Sequence, residues 1–204
     1  MAAYDVKREL KALYAPKNTS WELVDVPRQR FIAVDGRGDP NTAEDYARSV
    51  EALYAVAYTL KFASKRTEVG DFVVAPLEGL WWADDPRAFT ARDKAAWRWT
   101  MMICLPDRVD DEAVAEARAA ALAKKGNPGI ERVEPRVLHE GRSAQVLHVG
   151  SYDDEGPILA ELHERYMPER GLGFAGHHHE IYLSDPRRTA PERLRTVLRQ
   201  PVGG

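Results

Sequence analysis

The sequence predicts an α+β fold of two similar strand-helix-strand-strand modules behind an N-terminal arm. Three observations carry this. The order of periodic segments is the same in both halves, each first strand ends at a glycine turn leading into a helix, and an alanine-rich helix separates the halves. The expected boundaries are an arm over residues 1–29, a first module over 30–106, a linking helix within 107–133 and a second module over 134–204, all in one domain. A chain of 204 residues with 44% apolar content can bury one substantial core of this kind.

The first strand is read at Arg30-Phe31-Ile32-Ala33-Val34-Asp35 and is stopped by Gly36-Arg37-Gly38-Asp39-Pro40-Asn41. Thr42 is positioned as a helix cap, Glu44 and Asp45 suit the positive end of the helix, and Tyr46, Val50, Leu53, Tyr54, Ala57 and Leu60 recur on one face. Strands are then expected over residues 72–82 and 97–105, joined by a polar loop containing Asp84-Asp85-Pro86-Arg87. The linking helix covers about residues 111–125, with acids first, Lys124 and Lys125 last and Gly126-Asn127-Pro128 as its stop. The second module repeats the order. A strand over 144–149 turns at Gly150, a helix opened by Pro157 carries Ile158, Leu162 and Tyr166 until Pro168 and Gly171, and two strands follow over 178–183 and 194–202. Glu78 and Glu180 then fall on equivalent third elements. With both helices on one side, the opposite sheet faces are expected to border a ligand cleft.

Composition removes several classes of function. A net charge of −3 gives no electrostatic reason for direct nucleic-acid binding, which needs concentrated Lys and Arg. No run approaches the apolar length of a membrane span and the N-terminus lacks the apolar core of a signal peptide, so a cytoplasmic protein is expected. Cys104 is alone, which excludes an internal disulfide and a multi-thiolate metal site. Exposed edge strands would allow a homodimer without requiring one.

The chemistry concentrates at two glutamates in otherwise apolar strands, Glu78 and Glu180. A carboxylate among aromatic residues is costly to bury unpaired, which points to a pocket. Alternation on the strand places Glu180, Tyr182 and His178 on one face, with His177, His179, Ile181 and Leu183 on the other. The competing reading holds Glu180 by backbone amides or Arg187 at a sheet edge, with Tyr182 only packing. In the first module Glu78, Leu80 and Trp82 share a face and Trp81 opposes them, unless Gly79 introduces a bulge. Trp97, Trp99 and Met101 form a broad apolar wall, and four of the five tryptophans lie between residues 81 and 99, a composition suited to planar aromatic ligands. The triplet His177-His178-His179 offers only two same-side histidines and no third ligand nearby, so no metal is expected.

These segments resemble the GyrI-like small-molecule-binding superfamily. The resemblance runs through Tyr4-Asp5-Val6-Lys7-Arg8-Glu9-Leu10, Leu13-Tyr14, Val26-Pro27, Val34-Asp35-Gly36-Arg37-Gly38-Asp39-Pro40-Asn41, Leu53-Tyr54, Pro76-Leu77-Glu78-Gly79-Leu80-Trp81-Trp82, Trp97, Met101-Met102-Ile103 and Glu180-Ile181-Tyr182-Leu183-Ser184-Asp185-Pro186-Arg187-Arg188. It implies a pseudo-twofold pair of modules around a central ligand cleft, with lipophilic aromatic small molecules as partners, Glu180 as the cleft glutamate and no separate DNA-binding domain. The stand-alone branch is similar to cyclopropanoid cyclopropyl hydrolases, which detoxify DNA-alkylating natural products by adding water to a strained cyclopropane. Carried over, Glu180 would orient or activate water and Tyr182 would stabilise the polar end of the substrate. Trp81, Trp82, Trp97 and Trp99 would sandwich its rings, Glu78 would be a second polar anchor, and Met101 and His178 would complete the substrate-binding set, with no cofactor or metal. The alternative is a non-catalytic protein that sequesters drugs or modulates DNA gyrase.

Overall fold

The computed structural model describes residues 3–17, 19–85, 87–90 and 93–204, without the side chains of residues 89 and 90. Pro86 of the expected polar loop, and the first two residues of the N-terminus, lie outside the described residues. The strands are β1 (Glu22–Val26), β2 (Gln29–Arg37), β3 (Leu77–Ala83), β4 (Trp97–Leu105), β5 (Glu134–Leu138), β6 (Gly141–Val149), β7 (Gly173–Phe174), β8 (His178–Tyr182) and β9 (Arg195–Gly203). They form one antiparallel sheet in the order β1-β6-β9-β8-β3-β4-β2-β5, with β7 pairing the end of β9.

Read from either edge, the sheet gives the same sequence of element types, a five-residue strand beside a nine-residue strand and then a second nine-residue strand. The order is compatible with a pseudo-twofold axis between β3 and β8 at the centre. Two of these strands were hidden in the sequence. β1 lies within what reads as an arm, and each short edge strand pairs with the other half of the chain, β1 with β6 and β5 with β2. The two halves are therefore interlocked through the sheet edges.

Helices α1 (Val6–Glu9) and α2 (Lys11–Tyr14) belong to the arm, and α3 (Glu44–Ser64), α4 (Arg87–Thr90), α5 (Asp111–Lys125) and α6 (Gly156–Glu161) follow. α3 is capped differently from the expectation at Thr42. Ala43 is its N-cap and has no side chain able to accept, while the amides of Thr42 and Ala43 bond to the carbonyl of Asp39. α5 has the expected limits because Asp110 accepts from the amide of Ala113 and Gly126, at φ 65°, closes its C-terminus. Residues 72–76 are not part of the sheet. Phe72 makes only an isolated bridge to Tyr4, and β3 begins at Leu77. α6 passes into a π-helical turn over Leu162–Tyr166, where the amide of Met167 reaches back to the carbonyl of Leu162 before Pro168 ends the run. Ile158, Leu162 and Tyr166 still pack as one face against Trp21, Ala144, Val146 and Leu198. No helix among the described residues is long and apolar enough to cross a membrane.

α3 and α6 cover the same face of the sheet. Tyr46 of α3 meets Trp99 edge-on at 5.2 Å, and α6 packs on Val146 and Leu198, which the register places on the same side as Glu180. The other face is covered by the arm, whose Tyr14 is fully buried against Glu78. Trp99 is also fully buried because the residue opposite it on β2 is Gly36, and a Cβ added there would fall 2.0 Å from the indole. Gly36→Ala is therefore expected to destabilise the protein by about 1–3 kcal/mol through overpacking. Urea unfolding should show a lower midpoint at unchanged slope, and an unchanged midpoint would contradict this packing.

Candidate functional site

β3 and β8 run side by side at the centre of the sheet in unbroken register, Leu77 facing Tyr182, Glu78 facing Ile181, Gly79 facing Glu180, Leu80 facing His179 and Trp81 facing His178. Gly79 therefore makes no bulge between these strands. Opposed residues share a face, so the register sorts the predicted site residues without reference to side-chain detail. Glu180, Tyr182, His178 and Trp81 stand on the helix-bearing face, together with Trp97, Trp99 and Met101 of β4. Glu78 and Trp82 stand on the arm face.

On the helix-bearing face the groups form a directed hydrogen-bond chain. The Trp81 indole N–H donates to the Tyr182 hydroxyl at 2.9 Å, and that hydroxyl donates to Glu180 Oε2 at 2.7 Å. His178 Nε2 lies 3.4 Å from the other carboxylate oxygen, Oε1. Gly79 makes the chain possible, since a Cβ there would fall 2.8 Å from the indole nitrogen, 3.2 Å from the Tyr182 oxygen and 3.2 Å from the Met101 sulfur. Burial, then the charge of Glu180, raises the Tyr182 pKa well above the ordinary phenol value, and the same two causes push Tyr152 up to about 12. Both phenols therefore keep their protons at neutral pH and act as donors.

The aromatic walls differ from the predicted fourfold tryptophan sandwich. Trp81 meets Trp97 edge-on at 5.8 Å, Tyr46 lies 6.2 Å from Trp81, and Tyr152 meets Tyr182 edge-on at 5.7 Å. Trp99 and Met101 are fully buried beneath them as the floor. Trp82 is on the far side, stacked on His177 at 4.3 Å. The ligand cleft was expected on the face away from the helices, whereas these aromatic rings gather on the helix-bearing face, with Tyr46 supplied by α3 and Tyr152 by the turn Tyr152–Glu155 that leads into α6. Tyr46, Tyr152 and Glu155 were not singled out from the sequence. A signal existed for the two tyrosines, each of which sits near the start of the helix that follows its module's glycine turn.

Glu78 has another place. It is fully buried, accepts from the Tyr14 hydroxyl at 2.9 Å, and lies 3.0 Å from His179 Nε2. The other imidazole nitrogen is 3.0 Å from Glu140, which also accepts from Arg199 at 2.9 Å. Arg199 in turn donates to Gln145 at 2.9 Å and to the carbonyl of Leu13 at 3.1 Å. Both ring nitrogens of His179 face carboxylates, an arrangement only the doubly protonated imidazolium satisfies fully. Burial opposes that charge, but Glu140 and Glu78 outweigh it and raise His179 to about 9. Burial likewise opposes ionisation of Glu140, yet His179 and Arg199 lower it to about 2. Cys104 is buried on this side, and burial with the charge of Glu78 raises its thiol above the ordinary range, so it is no nucleophile at neutral pH. Among the described residues no group of three or more His, Cys, Asp or Glu side chains is placed to hold a metal ion.

An open antiparallel sheet with a carboxylate at its centre and aromatic side chains brought to one face by α3 and the turn before α6 is an architecture suited to small-molecule binding. The chain belongs to the GyrI-like family, whose small molecule binding domain matches residues 20–202. It is similar over 98% of its length to all of an uncharacterized conserved protein from Listeria innocua, with 42% identity and a TM-score of 0.89. It is similar over 99% of its length to all of a hydrolase from the same organism, with 41% identity and a TM-score of 0.87, and at 40% identity and a TM-score of 0.84 to a structure likewise described as a hydrolase. No curated protein matches the chain.

The arm-face network gives a pH dependence of stability. The folded His179 holds its proton up to about 9, whereas the unfolded histidine releases it near 6.5, so this contribution is complete below 6.5 and lost as pH rises through about 9. Glu140 works in the other direction, its contribution being present above the ordinary 4.5 and lost as pH falls towards 2. Melting temperature should therefore decline between pH 6.5 and 9. A flat or rising profile across that window would contradict a protonated His179.

Proposed function

We propose that the aromatic residues around Glu180 on the helix-bearing face form a cleft that binds planar lipophilic molecules and hydrolyses cyclopropanoid DNA-alkylating compounds by adding water to the cyclopropane, a detoxifying activity of the cytoplasm. The observation that carries this reading is the directed chain from Trp81 through Tyr182 to Glu180, set between aromatic walls. It fixes one carboxylate oxygen, while the other, Oε1, has His178 Nε2 3.4 Å away. The hydrolases of about 40% identity over the whole chain support a hydrolytic role of this general kind.

In this reaction the water oxygen bonds to a cyclopropane carbon as the strained carbon–carbon bond breaks. The released electron pair moves through the conjugated ring to the carbonyl oxygen of the substrate, and Glu180 Oε1 takes the proton from the water. Ring strain supplies driving force, so positioning and one general base account for this half of the chemistry. Trp81 and Trp97 present ring surfaces to the substrate over the floor of Trp99 and Met101. Tyr182 has its only proton committed to Glu180, so it acts as a positioning residue for the base. Glu78 and Trp82, held on the arm face, take no part in this scheme.

A carboxylate enclosed by aromatic rings also favours a cationic aromatic ligand, which supports the second reading of a non-catalytic binder that sequesters drugs or acts on gyrase. Tryptophan fluorescence and product analysis separate the two. With a duocarmycin-like compound, the wild-type protein should show saturable quenching and release a hydrated product. Glu180→Gln should keep the quenching and lose about 10²–10⁴-fold in turnover. Quenching with the compound recovered unchanged would favour the binder, and equal turnover by Glu180→Gln would refute the role of this base.

A further inference from the structure

Helix α3 carries a second row of aromatic residues on the side it turns away from the core. Leu53, Ala57 and Leu60 are buried beneath the helix, and α5 packs along it. Tyr54, Tyr58 and Phe62 follow one another at the helical repeat, and their rings form a staircase, 6.3 Å between the first two and 6.4 Å between the second pair, each step tilted by 28°. Tyr54 is half-buried, but Tyr58 is 48% and Phe62 60% exposed. Exposed Val73 stands near the same end of the helix, because Lys61 holds Asp71 at 2.6 Å and also donates to the carbonyl of Phe72. Large aromatic side chains gathered on an exposed helix face mark an interaction surface, since tyrosine and phenylalanine are enriched where proteins meet.

The charges at the two ends of the row indicate what covers it. Glu51 lies seven residues before Tyr58 and Lys65 seven residues after it, and both are exposed. Seven residues make two helical turns to within about 20°, so these charges flank Tyr58 on its own line. Tyr54 and Phe62 stand four residues before and four after. The row therefore reads acid, aromatic, aromatic, aromatic, base, with Tyr58 at its midpoint. A parallel copy of α3 would bring acid to acid and base to base. A copy turned end for end meets every position with its complement.

We propose that this face of α3 is the interface of a homodimer, in which a second copy packs antiparallel across a two-fold axis at Tyr58. Tyr58 then meets Tyr58 of the partner subunit, Tyr54 meets Phe62 of the partner subunit, and Glu51 meets Lys65 of the partner subunit. Each of the last two contacts occurs twice by symmetry. The aromatic rings supply affinity, as buried aromatic anchors do at interfaces. The ion pairs are exposed and contribute little affinity, but they set the direction in which the helices run. Lys65 Nζ lies 5.7 Å from the Phe62 ring and 3.4 Å from Asp71, which holds it at the edge of the row.

Sedimentation velocity on the full chain, from low micromolar to several hundred micromolar concentration, tests the proposal. The wild-type protein should pass from one chain to two as concentration rises. Tyr58→Lys places two like charges on the axis and should stay monomeric throughout, with unchanged far-ultraviolet circular dichroism because the side chain is exposed. Glu51→Lys should weaken the dimer about tenfold, since it turns both symmetry-related ion pairs into repulsions. Adding Lys65→Glu to that variant should restore the dimer, as the reversed charges again oppose their complements. A wild-type protein that is monomeric at every concentration, a dimer that survives Tyr58→Lys, or a doubly reversed protein that associates no better than Glu51→Lys overturns the proposal.

Discussion

Beneath the two central strands, the side chains of Glu78, His179, Glu140 and Arg199 are almost wholly buried together, two carboxylates against two cations. The set is balanced in charge, and its hydrogen bonds extend to Tyr14, Gln29, Gln145 and the arm carbonyls of Ala12 and Leu13. Removing one partner from such a group leaves a buried charge uncompensated, a cost of about 3–5 kcal/mol. The four residues come from β3, β8, the β5–β6 connection and β9, and the arm closes over them. The network therefore joins the halves of the chain at the place where the sheet would otherwise be held only by one ladder between β3 and β8.

The consequence for the other face is geometric. A strand that slips by one residue exchanges its faces completely. With His179 held between Glu78 and Glu140, β8 cannot slip, and its neighbours His178 and Glu180 must point to the helix side. Gly79, directly across from Glu180, then leaves the gap in which Trp81 and Tyr182 meet. The polar core and the aromatic face around Glu180 are thus two sides of one register. The first supplies rigidity through satisfied charges, and the second keeps a carboxylate with one loosely held oxygen among aromatic walls.

Much of this was legible in the sequence. Alternation placed Glu180, Tyr182 and His178 together, and acids, lysines and Gly126 marked α5 to the residue. Other parts were not legible, for identifiable reasons. β1 and β5 are edge strands whose residues Glu22, Asp25, Glu134, Pro135 and Arg136 suit a solvated edge, so they carry no apolar pattern. Glu78 reads in sequence as a ligand anchor because its partners Tyr14 and His179 lie far away along the chain and only the fold assembles them. Its separation from Glu180 follows from register, which depends on how β3 and β8 pair and cannot be read from either strand alone. Glu155 stands in an acidic turn that suits solvent, yet the fold leaves it only 5% exposed.

The central claim is that one face of the sheet receives the ligand while the other is locked by charge. A crystal structure of the complex with a planar aromatic ligand tests it most directly. The account predicts ligand rings against Trp81 and Trp97, a polar end at Glu180, Tyr46 and Tyr152 displaced to admit it, and an unaltered Glu78–His179–Glu140–Arg199 network. Ligand bound instead beside Trp82 and His177, with Glu78 turned to meet it, would contradict the account.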